Sequence, residues 1–133
     1  MFKNSKITEQ DMWFRVLVVT AIMIVLGNTA WGHHSHANYD VTDYTYLEGS
    51  VTEILWINPH IWIFIEVADD DGEPVQWTLE TATPAALARN GVTRDTVHVG
   101  DTVSVRCHQL IDGAAGCLLG YLTGRDGVER LWD

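Results

Sequence analysis

From Tyr44 onward, apolar and polar residues alternate with a period of two, the signature of half-buried strands. Leu47, Gly49 and Val51 share one parity, whereas Ile54 and Trp56 fall on the other. That slip predicts a bulge near Thr52-Glu53 in a long, bent first strand, the kind a small closed barrel needs to serve both of its halves. Asn58-Pro59 reads as a turn. Ile61, Ile63, Ile65 and Val67 then alternate with Trp62, Phe64 and Glu66, which predicts a second strand. Asp69-Asp70-Asp71-Gly72 reads as a hairpin turn, and Val75, Trp77 and Leu79 alternate with Gln76, Thr78 and Glu80 in a third strand.

The period then changes. Thr83-Pro84 is an N-cap followed by proline at the first helical position, and Gly91 stops a short helix over Ala85 to Asn90. Thr93 to Thr96 reads as a second turn. Gly100-Asp101 opens a fourth strand with Val103, Val105 and Cys107 inward. Cys117 to Leu122 and Glu129 to Trp132 read as the last strands, joined through Asp126-Gly127. The expected fold is mainly β: a small OB-like barrel of five to six strands with one short helix between strands 3 and 4. An SH3-like barrel or a small sandwich is the rival.

Residues upstream of the barrel read differently. Val16 to Gly27 is an apolar run of 12 residues, short of the roughly 20 that a membrane helix needs. Ala30 and Gly32 fit the small-x-small rule of a signal peptidase site. The expected organisation is a signal peptide over 1–32, a flexible His-rich segment over 33–43 and the barrel over 44–133. Two acids, Glu9 and Asp11, make Met1 to Asp11 an odd leader start, and Met12 would make a cleaner one. An uncleaved N-terminal anchor is the alternative. Both readings put the domain outside the cytoplasm, secreted or periplasmic, with no stable membrane span once a leader is removed.

Charge narrows the partners. The whole chain carries a formal −10. Residues 33–133 hold five arginines and no lysine against sixteen Asp and Glu, for −11. Such a surface repels phosphate, so nucleic acid and anionic lipid are not expected partners. The hydrophobic share of 47% excludes a disordered tail. Cys107 and Cys117 flank the turn-rich Ile111 to Gly116, and pairing around residue 112 would set them opposite each other across a hairpin. An oxidising compartment would join them as a disulfide; a metal-binding thiolate beside His108 is the rival.

Several of these features occur together in a known family. His33-His34-Ser35 would begin the exported part, Trp56-Ile57-Asn58-Pro59-His60 closes the first strand, and Trp77-Thr78-Leu79-Glu80 ends the third. Pro84, Leu87, the run Arg89 to Arg94 and Gly100-Asp101 follow. Over most of residues 33 to 130 the chain resembles a family of small secreted bacterial proteins of unknown function that begin with HHS and carry a W-x-N-P-H motif. The resemblance implies compartment and architecture and brings no activity with it. His36 stands where the family pattern has an aromatic, and the cysteine pair is particular to this chain.

The sharpest candidate chemistry is His33-His34-x-His36 at a new amino terminus. Neutral imidazole is the commonest transition-metal ligand, and a deprotonated α-amine can add to it. With His33 first, its amine and ring would chelate one ion. With His34 first, amine, amides and the third-position imidazole of His36 form a square-planar set suited to Cu(II). Zinc is the competitor. His60 lies on the loop after the first strand and Glu80 ends the third, on a shared rim of an OB-like barrel. The expected metal site joins His33, His34, His36 and His60, with Glu80 as ligand or as the group that orients one. Each of these has a plain counterpart: solvated tail histidines, a turn-capping His60 and a solvated Glu80.

His98 and His108 read as structural, and Trp56, Trp62 and Trp77 as packing for the barrel or its helix. Asp69 to Asp71 lack the EF-hand spacing and read as a solvated turn. No nucleophile elbow, phosphate loop or H-E-x-x-H motif is present, so an enzyme is the least favoured class. The expected function is a non-enzymatic binding protein for copper or zinc. The alternative is a metal-free OB-like module that binds a small ligand, a sugar or a protein partner through an aromatic strand face.

Overall fold

The computed structural model describes residues 9–26 and 36–133. Residues Glu9–Leu26 form one helix, α1. Among the described residues, no helix is long and apolar enough to cross a membrane. The small-x-small site at Ala30 and Gly32, together with His33 and His34, lies outside the described residues.

The second unit is the barrel. A 3-10 turn, His36–Asn38, leads into β1 (Thr45–Leu55), β2 (Trp62–Ala68) and β3 (Pro74–Glu80). Helix α2 (Pro84–Arg89), β4 (Thr102–Gln109), β5 (Gly116–Thr123) and β6 (Glu129–Leu131) follow. β1 pairs antiparallel with both β2 and β4, and β4 with β5. A parallel β3–β5 pair closes the circle, and β6 extends it as a sixth strand beside β5. This is the OB-like barrel expected from the alternation.

The local rules act as predicted. β1 shifts register between Val51 and Glu53, so its first half serves β4 and its second half β2. Thr83 caps α2 by accepting from the Ala86 amide at 3.1 Å, Pro84 takes the first helical position, and Gly91 follows the last turn at φ +76°. Ile61, Ile63, Ile65, Leu79, Leu87, Leu119 and Trp132 are fully enclosed. At ~25 cal/mol per Å², each such side chain stabilises the fold by about 1.5–3 kcal/mol before entropy is counted.

Cys107 and Cys117 form a disulfide and are both fully buried. The hairpin register differs from a turn centred on residue 112: Gln109 faces Cys117 and Cys107 faces Leu119. The bridge is therefore diagonal, with a Cα–Cα distance of 5.5 Å, because the hairpin pairing is centred on residue 113, one position beyond the expected 112. Turn signals locate a hairpin but do not fix its register to one residue.

Candidate functional site

Glu80 points away from the barrel interior by strand parity, since Leu79 faces the core. It is nevertheless only 6% exposed. In the sheet it sits between Trp62 of β2 and Leu118 of β5, so neighbours flank it on both sides. The third cover is the segment before β1. The Asp40 amide donates to Gln109 O at 2.8 Å, and the Ile111 amide to Asn38 O at 2.9 Å. Tyr39 bridges to Leu110 between these bonds. Its phenol, in a residue 8% exposed, donates to Glu80 Oε2 at 2.7 Å. Burial, and then the Glu80 carboxylate, push the Tyr39 hydroxyl far above its ordinary pKa.

The described part of the segment expected to be flexible, 33–43, is thus fixed to the barrel at Asn38, Tyr39 and Asp40. One aromatic with a buried acceptor holds it, because a charge-assisted bond in a dry site is stronger than one in water.

His60 stands beside Glu80. Its Nδ1 lies 2.7 Å from the Thr81 carbonyl oxygen and 3.6 Å from Glu80 Oε1. A carbonyl only accepts, so Nδ1 carries a proton, and Nε2 is the ring nitrogen left to face a ligand. The side chain is 30% exposed. Thr81 is itself held, its amide donating to Ile61 O at 3.1 Å. The imidazole is oriented before any ligand arrives.

His108 has a similar arrangement. Its Nδ1 is 2.8 Å from Asp43 O and 3.1 Å from Asp40 O, and its ring stacks on Tyr44 at 4.4 Å. Leu118 faces both Glu80 and His108, so the three lie in one row across β3, β5 and β4. Tyr39 and Asp40, adjacent in sequence, bond to the two ends of that row.

Of the residues predicted for the metal site, the fold brings His60 and Glu80 together. His36 is exposed in the 3-10 turn, its carbonyl accepting from the Tyr39 amide at 3.2 Å. Among the described residues, no three His, Cys, Asp or Glu side chains are close enough to hold a metal ion. Tyr39 and Thr81 belong to the site and carried no sequence signal beyond one aromatic in a polar stretch. His98 packs beside Asp101, its amide donating to Oδ2 at 2.9 Å. Asp69 caps its own turn, Oδ1 accepting from the amides of Asp71 and Glu73. Trp56 and Trp77 pack against the core, with the Arg94 guanidinium over the Trp56 ring at 5.3 Å.

A family model described as a family of unknown function, DUF6152, matches residues 21–119. The chain belongs to that family. Membership of DUF6152 spans the first four strands and half of the fifth and brings no activity. No curated protein matches the chain. Among solved structures, the chain is similar to the mitochondrial single-stranded DNA binding protein Rim1 of S. cerevisiae. The identity is 11%, covering 62% of this chain and 95% of that one, at a TM-score of 0.45.

Proposed function

We propose that this DUF6152 member is a non-enzymatic binding protein, secreted or periplasmic, that takes a transition-metal ion at the rim formed by His60. Copper is the favoured ion and zinc the competitor, because the donors are imidazole nitrogens and, after export, an amino terminus. The observation that carries the reading is the His60–Thr81 bond of 2.7 Å, which commits Nδ1 and leaves Nε2 as the donor atom. A histidine whose second nitrogen is bonded to a carbonyl is the usual arrangement of a metal ligand. Glu80 has one oxygen on the Tyr39 phenol and the other 3.6 Å from His60 Nδ1, so its part is to orient His60. His33, His34 and His36 supply the remaining nitrogens, delivered by a segment pinned three residues downstream at Tyr39. The buried disulfide accords with an oxidising compartment.

The test is N-terminal sequencing and metal analysis of the exported protein, then calorimetric titration with Cu(II) and Zn(II). The expected result is a start at His33 or His34, one tightly held Cu(II), and an affinity at least roughly tenfold weaker in His60→Ala. Unchanged affinity in that variant removes His60 from the site. The second reading, a metal-free module that binds a small ligand or partner, draws on Trp62 and Phe64, both half-buried on the outer parity of β2. Metal-free protein with a longer amino terminus favours it.

A further inference from the structure

The outer face of β1, β4, β5 and β6 carries two registered rows of side chains that the metal reading does not use. Tyr46 faces Arg106, Arg106 faces Tyr121, and Tyr121 faces Leu131. One step along, Glu48 faces Ser104, Ser104 faces Thr123, and Thr123 faces Glu129. Directly paired residues project to the same side, so these rows form one continuous platform. An open groove of about 410 Å³ runs over it, lined by Tyr46, Glu48, Ser104, Arg106, Thr123 and Glu129.

The floor is rigid. The Arg106 guanidinium lies over the Tyr121 ring at 4.1 Å and over Tyr44 at 5.4 Å. It is held to Glu129 by two bonds, Nε to Oε1 at 3.0 Å and Nη2 to Oε2 at 2.8 Å. Tyr46, by contrast, is 70% exposed. Glu48 forms no ion pair among the described residues.

We infer that this groove is a binding site for a neutral carbohydrate chain. Tyr46, exposed at one end of the groove, offers its ring to the apolar C–H face of one sugar ring, whereas Tyr121 is capped by the Arg106 guanidinium and serves as floor. Beside it, the Glu48 carboxylate and the Ser104 and Thr123 hydroxyls supply acceptors and donors for sugar hydroxyls. Charge excludes the other polymers. Anionic chains meet a domain of net −11 whose one arginine on this face is already neutralised by Glu129. A basic peptide would have to place its cations beside Arg106, with Glu48 as the sole free carboxylate of the rows. This site is independent of His60, so loss of the metal reading leaves it standing.

The experiment is an amide NMR titration of the whole protein with maltotriose, cellotriose, chitotriose and xylotriose, and separately with a Lys-rich peptide. The expected result is saturable shifts at Tyr46, Ser104, Tyr121 and Thr123 with at least one trisaccharide, undiminished by about 0.5 M salt. Tyr46→Ala and Glu48→Gln each weaken that binding about tenfold, equivalent to about 1.4 kcal/mol. Both positions are exposed, and an unchanged thermal midpoint shows the fold is intact. Silence with all four sugars overturns the proposal. So does unchanged affinity in Tyr46→Ala, or binding by the peptide alone that salt abolishes.

Discussion

The phenol of Tyr39 donates to the Glu80 carboxylate at 2.7 Å across 41 positions of sequence. That bond ties the segment before β1 to the end of β3 and covers a carboxylate that strand parity would leave in water. Glu80 in turn stands 3.6 Å from His60, so one bond links the segment leading back to the tail histidines with the ring that the proposed metal site uses.

Removing the Tyr39 hydroxyl therefore has two expected effects. Tyr39→Phe keeps the buried ring but leaves Glu80 without its donor, at a cost of about 1.5–3 kcal/mol, read from urea unfolding. Copper affinity falls as well, because residues 36–39 lose their anchor. An unfolding midpoint equal to that of the parent would show that water replaces the phenol at no cost.

Asp101 sets an acid limit on stability. It is 4% exposed at the start of β4, and the Arg125 guanidinium, then the His98 amide, hold its pKa below the usual carboxylate range. A depressed folded pKa gives stability that is present above the unfolded value, near 3.9, and lost as pH falls through the folded one. Denaturant midpoints should thus fall from pH 5 downward, and Asp101→Asn should flatten that slope while lowering stability at pH 7. A slope unaltered by the substitution would assign acid unfolding to other carboxylates.

The disulfide closes a ring of sequence separation 10 inside the core. On chain-entropy grounds its reduction should cost about 3 kcal/mol. Calorimetric melts with and without reductant under denaturing conditions measure it. Cys107 lies in the hairpin against which Tyr39 pairs, so the loss should extend to amide protection at Tyr39 and Asp40.

Two glycines are crowded to different degrees. A Cβ on Gly49 would sit 2.5 Å from the Glu66 carbonyl oxygen, an atom fixed in the β1–β2 crossing. On Gly120 it would meet the Tyr44 ring at 3.0 Å and the Arg106 carbonyl oxygen at 3.2 Å, both less severe approaches. Gly49→Ala is expected to cost about 1–3 kcal/mol or more, and Gly120→Ala less, by thermal melts. Gly120→Ala should also shift the His108 ring resonances, since Tyr44 stacks there.

Local chemistry determined much of this protein from its sequence alone. The two-residue period of Ile61, Ile63 and Ile65, the parity slip at Thr52-Glu53, the Thr83-Pro84 cap and the Cys107–Cys117 pair each state their structure within a few neighbours, because side-chain alternation, capping and turn geometry are short-range constraints. The placing of His60 and Glu80 on a shared rim followed from strand order. Tertiary structure alone decided that Glu80 is buried, that Tyr39 is its donor, and that Thr81 directs the His60 ring. Those facts arise between residues 21 to 41 positions apart, where no periodicity runs and the outcome turns on which polar atom meets which in a dry place.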